Sequence, residues 1–287
     1  SSAASMARVK CSRTFSASAR SAWPAGEGSA RDRPRPRRRP APAGPEAGTR
    51  QRPARLMARC FAIVPAAGVG RRMGAAIPKQ YLPLAGRCVL EHTLERLLAE
   101  PRIERIVVAL GPEDGWWPGL KLSDPARIRR VDGGAERADS VRNGLRALEG
   151  LAEADDWALV HDAARPCLAA EDLARLFTAL ADDPLGGLLA VPVRDTMKRA
   201  AADGCVEHTV ERERLWHALT PQMFRYGRLR DALEAAAAAG AVITDEASAI
   251  ERAGLRPRLV EGRADNLKIT RPEDLALAAF FLAAGRP

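Results

Sequence analysis

Short apolar runs alternate with amphipathic segments along the chain from about residue 58 onward. The apolar runs have strand length and contain β-branched residues; they cover residues 105–110, 157–161 and 187–193. The amphipathic segments repeat apolar positions with the helical period; they cover residues 90–100, 138–148, 171–181 and 272–283. This alternation predicts an α/β fold with a Rossmann-like, mostly parallel sheet and helices on both faces. Ligands of such sheets bind at the carboxyl ends of the strands.

The segment from about residue 194 to residue 222 interrupts this alternation. Two extended, half-polar stretches flank Ala202-Asp203-Gly204, and an Asp-Gly pair is typical of the turn of a β-hairpin. Because an isolated two-stranded ribbon is marginally stable in water, we predict a protruding β-arm that packs on a second subunit in a homodimer. Leu215 and Trp216 would then lie in the interface. The alternative is a hairpin that folds back onto its own domain.

Residues 1–57 differ from the rest of the chain in charge and composition. They carry thirteen Arg or Lys residues against three acidic ones, while residues 58–287 are close to neutral, so the net charge of +9 comes from this leader. The leader is rich in Ser, Ala, Pro and Arg and has no apolar periodicity. Such a segment buries too little surface to offset the entropy of ordering, so we predict a disordered leader followed by one folded domain, residues 58–287.

Three origins of the leader stay open: translation upstream of a true start at Met57, an organelle transit peptide, and a basic arm that contacts nucleic acid or membrane. The first predicts a cytoplasmic protein and the second a plastid protein. No apolar stretch reaches about eighteen residues, so we predict no membrane partner, and the near-neutral domain predicts no nucleic-acid partner. The cysteines and histidines are scattered, which argues against zinc and against a disulfide framework.

The apolar run that begins at Phe61 ends in a loop of small residues, and fixed cations follow. Residues 61–83 read FAIVPAAGVGRRMGAAIPKQYLP, in which the small residues of the loop are Ala66, Ala67, Gly68 and Gly70. A phosphate chain can approach their N–H groups closely, and Arg72 and Lys79 add positive charge. We therefore predict a polyphosphate-binding loop; an ordinary strand-to-helix turn is the alternative. The spacing fits neither a Walker-type ATPase nor a dinucleotide-binding dehydrogenase.

Two further segments offer polar groups to such a ligand. Asp162 directly follows the apolar run 157–161, where a carboxylate can hold a divalent cation between phosphates; a helix N-cap is the alternative. Gly134, Arg137 and Ser140 lie in DGGAERADS, a turn that offers close backbone approach, a guanidinium and a hydroxyl. A tight turn with a polar cap is the alternative there.

Lys268 lies in a short β-like stretch between Leu267 and Ile269, so its side chain is expected on the opposite face from theirs. Such a fixed direction favours a role in a site. Asp265 is near enough in sequence to share a cation site with Asp162.

Residues 244–247, which read TDEA, are typical of a helix start capped by Thr244. The N–H groups of such a start also bind anions. No nucleophile paired with a base is evident in the sequence. For attack of one phosphate on another, positioning and positive charge provide the catalysis, and Arg72, Lys79 and Lys268 carry that charge.

Eight segments make the chain from about Met57 to Pro287 resemble the 2-C-methyl-D-erythritol 4-phosphate cytidylyltransferase family of the non-mevalonate isoprenoid pathway. They read PAAGVGRRM, PKQYL, DGGAERADS, VHDAARPCL, PVRDTMKR, LWHALTPQ, TDEASA and EGRADNLKITRPEDLALA. The resemblance implies a fold of the nucleotidyltransferase type. It also implies transfer of the cytidylyl group from CTP to methylerythritol phosphate, with Mg2+ and release of pyrophosphate, by a homodimer formed through the arm.

The resemblance further implies roles for individual residues. Those at the triphosphate and the cytidine would be Pro65, Ala66, Ala67, Gly68, Gly70, Gly134, Arg137, Ser140 and Ala163. Those that act on the reacting phosphates would be Arg72, Lys79 and Lys268. Asp162 would serve the metal. Those that hold methylerythritol phosphate would be Asp162, Arg165, Thr196, Thr220, Thr244 and Lys268, joined by Arg212 of the partner subunit.

The chain departs from some members of the family at one position, and two rival functions stay open. Some relatives carry an acidic residue at the position of Ala135, so a side-chain contact with the nucleotide would be absent here. A cytidylyltransferase that acts on ribitol 5-phosphate shares the nucleotide half and would differ at DTMKR and TDEASA. An RNA- or membrane-binding protein would instead use the basic leader.

Overall fold

A seven-stranded sheet forms the centre of residues 58–68 and 77–285, the part of the chain that this computed structural model describes. In spatial order its strands are β11 (Arg258–Glu261), β7 (Gly186–Pro192), β10 (Trp216–Arg225), β6 (Trp157–Val160), β1 (Cys60–Pro65), β4 (Ile103–Leu110) and β5 (Ile128–Asp132). Among the seven described strands of this sheet, β10 alone runs antiparallel to its neighbours. The prediction of a mostly parallel sheet is confirmed. The predicted leader, Gly70 and Arg72 lie outside the described residues.

Helices cover both faces of the sheet, as predicted. They are α1 (Val89–Leu98), α2 (Arg137–Arg146), α3 (Ala170–Leu180), α4 (Tyr226–Ala238), α5 (Glu246–Arg252) and α6 (Pro272–Ala283). Because successive side chains of a strand point to opposite faces, Phe61 and Ile63 of β1 join a core with α2, α4 and α5. Ala62 and Val64 join a core with α1 and α3. A third, smaller core lies beneath α6 and includes Ile269.

Helix α2 lies close against β1 because Gly144 has no side chain. A Cβ atom at Gly144 would come within 2.6 Å of Ile63 Cγ2. Since α2 follows β5 after a short loop, its first residue, Arg137, lies at the edge of the sheet where the parallel strands end. The packing of α2 therefore delivers a guanidinium to the edge where ligands bind.

The predicted arm is present but shorter than expected. β8 (Met197–Ala200) and β9 (Val206–Val210) form a separate antiparallel hairpin, with Gly204 at positive φ in the turn. The predicted end of the arm at residue 222 is wrong, because residues 216–225 form β10 in the middle of the main sheet. The last seven residues of β10 are buried. His217, Thr220 and Pro221 interrupt its apolar positions and hide the strand pattern in the sequence.

Two smaller features lie outside the main sheet. β2 (Pro83–Leu84) and β3 (Arg87–Cys88) form a short antiparallel ribbon that leads into α1. None of the helices in residues 58–68 and 77–285 is both long and apolar enough to cross a membrane.

Candidate active site

A cleft of about 640 Å3 opens at the carboxyl ends of β1 and β6, where this class of fold binds ligands. The residues that line it are Pro65, Ala66, Ala67, Gly68, Lys79, Gln80, Gly134, Ala135, Glu136, Arg137, Ser140, Asp162, Ala163, Ala164 and Lys268. The cleft therefore brings together every described residue that the sequence assigned to the triphosphate and the cytidine. Lys79 and Lys268 both line this cleft although they lie 189 positions apart in the chain.

A second depression, of about 480 Å3, adjoins this cleft and shares Arg137, Asp162 and Lys268 with it. Its other lining residues are Arg165, Ala218, Leu219, Thr220, Gln222, Thr244 and Asp245. Five of the residues predicted for methylerythritol phosphate lie here, namely Asp162, Arg165, Thr220, Thr244 and Lys268. Two ligands could thus lie side by side with the shared residues between them.

The antiparallel direction of β10 explains why Thr220 lies beside Asp162. Gln222 pairs with Val160 in the register of β10 and β6. Because the two strands run in opposite directions, a step of two residues from this pair leads to Thr220 on β10 and to Asp162, just beyond the end of β6. The amide of Asp162 donates to Thr220 Oγ1 at 3.1 Å. One wall of the second depression is therefore tied to the end of a cleft-lining strand.

Three cations surround the carboxylate of Asp162. Arg137 Nε lies 2.9 Å from Oδ1, while Lys268 Nζ and Arg165 Nε lie 2.8 and 3.6 Å from Oδ2. Burial by itself raises the pKa of Asp162, but the charges of Arg137, Lys268 and Arg165 outweigh it and hold the pKa well below its usual range. Asp162 caps no helix, since α3 begins only at Ala170. The carboxylate is thus an ionised centre around which positive charge is ordered.

A short turn fixes the small-residue loop and one of its predicted cations. Lys79 and Gln80 lie in the 3-10 turn Lys79–Tyr81. Gln80 is buried, and its Nε2 donates to the carbonyl of Ala66 at 2.7 Å. Lys79 Nζ donates to the carbonyl of Ile269 at 3.1 Å, next to Lys268 in sequence. The sequence assigned no role to Gln80, although its motif PKQYL was recognised.

Gly133 allows two loops of the cleft to touch. A Cβ atom at Gly133 would lie 2.4 Å from Ala67 Cβ, so the loop after β5 packs directly on the loop after β1. The amide of Gly134 donates to Ser140 Oγ at 3.1 Å, and Ser140 Oγ donates to the carbonyl of Glu136 at 3.3 Å. Gly133 therefore serves the packing of the two loops, and the close approach of a ligand to the backbone of Gly134 stays a prediction. The hydroxyl of Ser140 also shapes the turn that precedes α2.

The predicted β-like stretch around Lys268 is wrong, since residues 264–271 form no strand. Its predicted side-chain direction is nevertheless correct. Ile269 is fully buried and donates its amide to the carbonyl of Ala164 at 2.8 Å, while Lys268 reaches Asp162. Hydrogen bonds to several loops, rather than a strand ladder, hold this segment in place: Arg165 Nη1 donates to the carbonyl of Asn266, and Asn266 Nδ2 donates to the carbonyl of Thr220.

The structure does not bring Asp265 to Asp162. Arg263 Nε donates to Asp265 Oδ1 at 3.0 Å, and this pair lines another depression, which Asp162 does not line. The chain turns tightly at this point, because the amide of Leu267 donates to the carbonyl of Asp265 at 2.7 Å. Sequence proximity to Lys268 therefore does not place the two carboxylates in one depression.

Thr196 and Arg212 lie on the arm, away from both depressions of their own chain. Thr196 is exposed, and Arg212 Nη1 donates to the carbonyl of Arg194 at the base of the arm. Thr244 lines the second depression, but the helix cap predicted there is wrong. Asp245 caps α5, and its Oδ1 accepts a hydrogen bond from the backbone of the third helical residue at 2.9 Å.

Sequence reasoning assigned no role to two buried residues that contact site residues without lining the cleft. Glu246 is buried at the start of α5 and accepts two hydrogen bonds from Arg137, of 2.7 and 3.1 Å. His161 is fully buried before Asp162; its Nε2 lies 3.1 Å from the carbonyl of Arg165 and its Nδ1 lies 2.9 Å from Thr220 Oγ1. Because a carbonyl only accepts, we assign the ring proton to Nε2, and Nδ1 accepts from the hydroxyl.

The stability of the protein should fall between about pH 6.5 and about pH 4 because of His161. Burial lowers the pKa of His161 from 6.5 to about 4, so unfolded chains take up a proton in this window that the folded state resists. The free energy of unfolding should lose on the order of 3 kcal/mol. Urea denaturation of wild type and His161→Gln at several pH values should show their difference shrinking toward pH 4. A difference that stays constant with pH would contradict this.

The sequence pattern of the 2-C-methyl-D-erythritol 4-phosphate cytidylyltransferase family (IspD) matches residues 60–284, well over half of the chain. The chain belongs to this family. The 2-C-methyl-D-erythritol 4-phosphate cytidylyltransferase of Ectopseudomonas mendocina (strain ymp) is 60% identical over 222 residues, which cover 77% of this chain and 94% of that protein.

Solved structures of the cytidylyltransferase family agree with this fold. A crystal structure of 4-diphosphocytidyl-2C-methyl-D-erythritol synthase superposes with a TM-score of 0.69 at 42% identity, covering 79% of this chain and 99% of that one. The structure of the Francisella tularensis 2-C-methyl-D-erythritol 4-phosphate cytidylyltransferase gives 0.68 at 35% identity, covering 78% and 99%. The predicted nucleotidyltransferase type of fold is therefore confirmed.

Proposed function

We propose that this protein transfers the cytidylyl group of CTP to 2-C-methyl-D-erythritol 4-phosphate in isoprenoid precursor biosynthesis, with release of pyrophosphate. The observation that carries the proposal is the pair of adjoining depressions that share Arg137, Asp162 and Lys268. A transfer between two phosphate-bearing substrates needs two neighbouring sites with positive charge at their boundary. Family membership supplies the identities of the two substrates.

CTP would occupy the cleft at the carboxyl ends of β1 and β6. Pro65, Ala66, Ala67 and Gly68 present small side chains and backbone groups to the triphosphate, and Lys79 adds charge beside them. Arg72 would complete the neutralisation of the leaving pyrophosphate. The cytidine would lie against the other wall of the cleft, formed by Gly134, Arg137, Ser140 and Ala163.

Methylerythritol phosphate would occupy the second depression, against Arg165, Thr220, Thr244 and Asp162. An oxygen of its phosphate attacks the α-phosphorus of CTP, and the bond from that phosphorus to the oxygen bridging the β-phosphate breaks. Lys268 lines both depressions, so its ammonium can stabilise the charge that develops on the α-phosphate. Two anions that repel each other in water are thereby held in line.

A magnesium ion fits this site if substrate phosphates supply most of its ligands. Mg2+ binds through one or two carboxylates and keeps water or phosphate oxygens at its other positions. Asp162 is a carboxylate at the boundary of the two depressions, and residues 58–68 and 77–285 contain no cluster of three His, Cys, Asp or Glu side chains that could form a cage. When bound, the ion supplies positive charge to the triphosphate. Asp162, rather than Asp265, would hold it.

The arm would complete the acceptor site of a second subunit. Met197 and Val206 are exposed apolar side chains on the hairpin, which suits burial in a homodimer. Arg212 would then reach methylerythritol phosphate in the partner's site. Hybrid dimers of an Arg212→Ala subunit and a Lys79→Ala subunit should retain one competent site and about half of the wild-type rate, because each site draws Arg212 from the other chain. Inactive hybrids, in verified heterodimers, would contradict donation across the interface.

The function is tested by pyrophosphate release from CTP and Mg2+ with each of two acceptors, methylerythritol phosphate and ribitol 5-phosphate. We expect kcat/KM to favour methylerythritol phosphate by at least about 100-fold, because the wrong acceptor leaves polar groups of the site unpaired. Preference for ribitol 5-phosphate would identify the rival cytidylyltransferase. A protein inert toward CTP, with salt-dependent RNA binding that deletion of residues 1–56 abolishes, would favour a function of the leader.

A further inference from the structure

Glu246 is a buried carboxylate behind the site that no substrate role accounts for. It is the first residue of α5 and is 1% exposed. Its Oε1 and Oε2 accept from Arg137 Nη1 and Nη2 at 2.7 and 3.1 Å. Gln222 of β10 fixes this end of α5, since its Oε1 accepts from the amide of Ala247 at 2.8 Å. A buried charge is costly without a partner, and this fork-shaped pair satisfies it.

The pair with Glu246 decides which part of Arg137 faces Asp162. With Nη1 and Nη2 engaged, Arg137 presents only Nε to Asp162, and Nε donates to Oδ1 at 2.9 Å. The other oxygen, Oδ2, is 2.8 Å from Lys268 Nζ. Arg137 thus occupies one oxygen of Asp162, while the other faces Lys268 at hydrogen-bond distance and Arg165 at 3.6 Å.

Without Glu246, this arrangement would not be maintained. A guanidinium binds a carboxylate most strongly through two parallel N–H groups, which would occupy both oxygens of Asp162. Arg137 would then compete with Lys268 for Oδ2. The ammonium of Lys268, whose side chain is 40% exposed, would lose the contact that directs it to the boundary of the two depressions.

We propose that Glu246 is a positioning residue for the transfer reaction: it holds the far end of Arg137 so that Asp162 keeps one oxygen for Lys268. Glu246 touches neither depression, so it acts through Arg137. This inference rests on the proposed function, because it concerns the placement of the cation that acts on the α-phosphate.

The first test compares the full-length wild type with Glu246→Gln in the pyrophosphate-release assay. The amide keeps the shape of the side chain but offers only one acceptor oxygen to Arg137. We expect kcat to fall by about 10-fold to 100-fold, as is usual when a residue that orients a functional group is changed. Glu251→Gln is the matched control, since Glu251 lies exposed on the same helix, and its kcat should stay within about twofold of wild type.

The second test is a double-mutant cycle with Arg137→Met. If Glu246 acts through Arg137, Glu246→Gln should change kcat/KM by less than about twofold in the Arg137→Met background. The melting temperatures of the same variants give an independent readout. Arg137→Met leaves the buried charge of Glu246 without its partner, so the double variant should melt at a higher temperature than Arg137→Met alone.

Wild-type turnover in folded Glu246→Gln, or an equal loss from Glu246→Gln in both backgrounds, would overturn the proposal. If Glu246→Gln does not fold, Glu246→Asp is assayed instead, because this variant keeps the charge and moves the carboxylate away from Arg137 by the length of one methylene. Unchanged turnover of folded Glu246→Asp, or failure of both variants to fold, would assign Glu246 a structural role only. Inactivity of the wild type toward CTP would instead refute the proposed function.

Discussion

Lys268→Ala should lower kcat by about 100-fold to 1000-fold, the usual cost of removing one group that stabilises charge in a transition state. The KM for CTP should change by less than about fivefold, because a contact made mainly in the transition state adds little to ground-state binding. Steady-state kinetics of pyrophosphate release measures both quantities. The fold should survive, since Lys268 is exposed and its ion pair with Asp162 lies at the edge of the site.

Two companions make the Lys268 experiment decisive. Lys121→Ala removes an exposed lysine that lines neither depression and should leave kcat within about twofold of wild type. Lys268→Arg keeps the charge but changes its geometry, so it should recover only part of the lost rate. An unchanged kcat in Lys268→Ala would remove this residue from the mechanism.

Asp162→Asn should have an effect of similar size on kcat and should also destabilise the protein. The buried side chain of Arg165 and the partly buried Arg137 would each lose the negative charge that they share. Removal of one partner from a buried ion pair costs about 3 to 5 kcal/mol, which thermal or chemical denaturation can measure. Turnover should fall by at least about 100-fold, because Lys268 loses its anchor and the proposed metal loses its carboxylate.

The response to magnesium separates Asp162 from Asp265. In residual-rate measurements on Asp162→Asn, the Mg2+ concentration for half-maximal rate should rise by about 10-fold or more. The same concentration should stay within about twofold of wild type in Asp265→Asn, because Asp265 faces Arg263 in another depression. An equal rise in both variants would show that the two carboxylates share the metal, against the geometry described above.

The sequence predicted the strands and helices of the sheet because their apolar periods are strong. β4, β6 and β7 differ from the predicted runs by no more than two residues at either end, and α6 has the predicted bounds. The place of the loop after β1 in the cleft was also predictable, because ligands of such sheets bind at the carboxyl ends of the strands; its binding of phosphate stays a prediction. Its second half, with Gly70 and Arg72, lies outside the described residues.

The sequence could not predict features that depend on long-range pairing. β10 reads as part of a polar arm until its neighbours are known, since burial between β7 and β6 is a property of the assembled sheet. Glu246 reads as an ordinary acidic residue in the first turn of a helix. Only the fold, which brings the first residue of α5 to the first residue of α2, shows that Glu246 faces Arg137, which lies 109 positions earlier. The prediction that Asp265 shares a cation site with Asp162 is wrong for the opposite reason. Asp265 is close to Lys268 in sequence, but the tight turn at Asp265 directs it to another depression.

The central claim is that positive side chains from separate stretches of the chain meet where two anionic substrates react. A crystal structure with Mg2+, methylerythritol phosphate and a CTP analogue whose α–β bridging oxygen is a methylene tests it most directly. We predict that the α-phosphate lies within hydrogen-bond distance of Lys268 Nζ, with Lys79 at the other phosphates and the acceptor phosphate in line in the second depression. An α-phosphate remote from Lys268, or an acceptor bound elsewhere, would contradict the account.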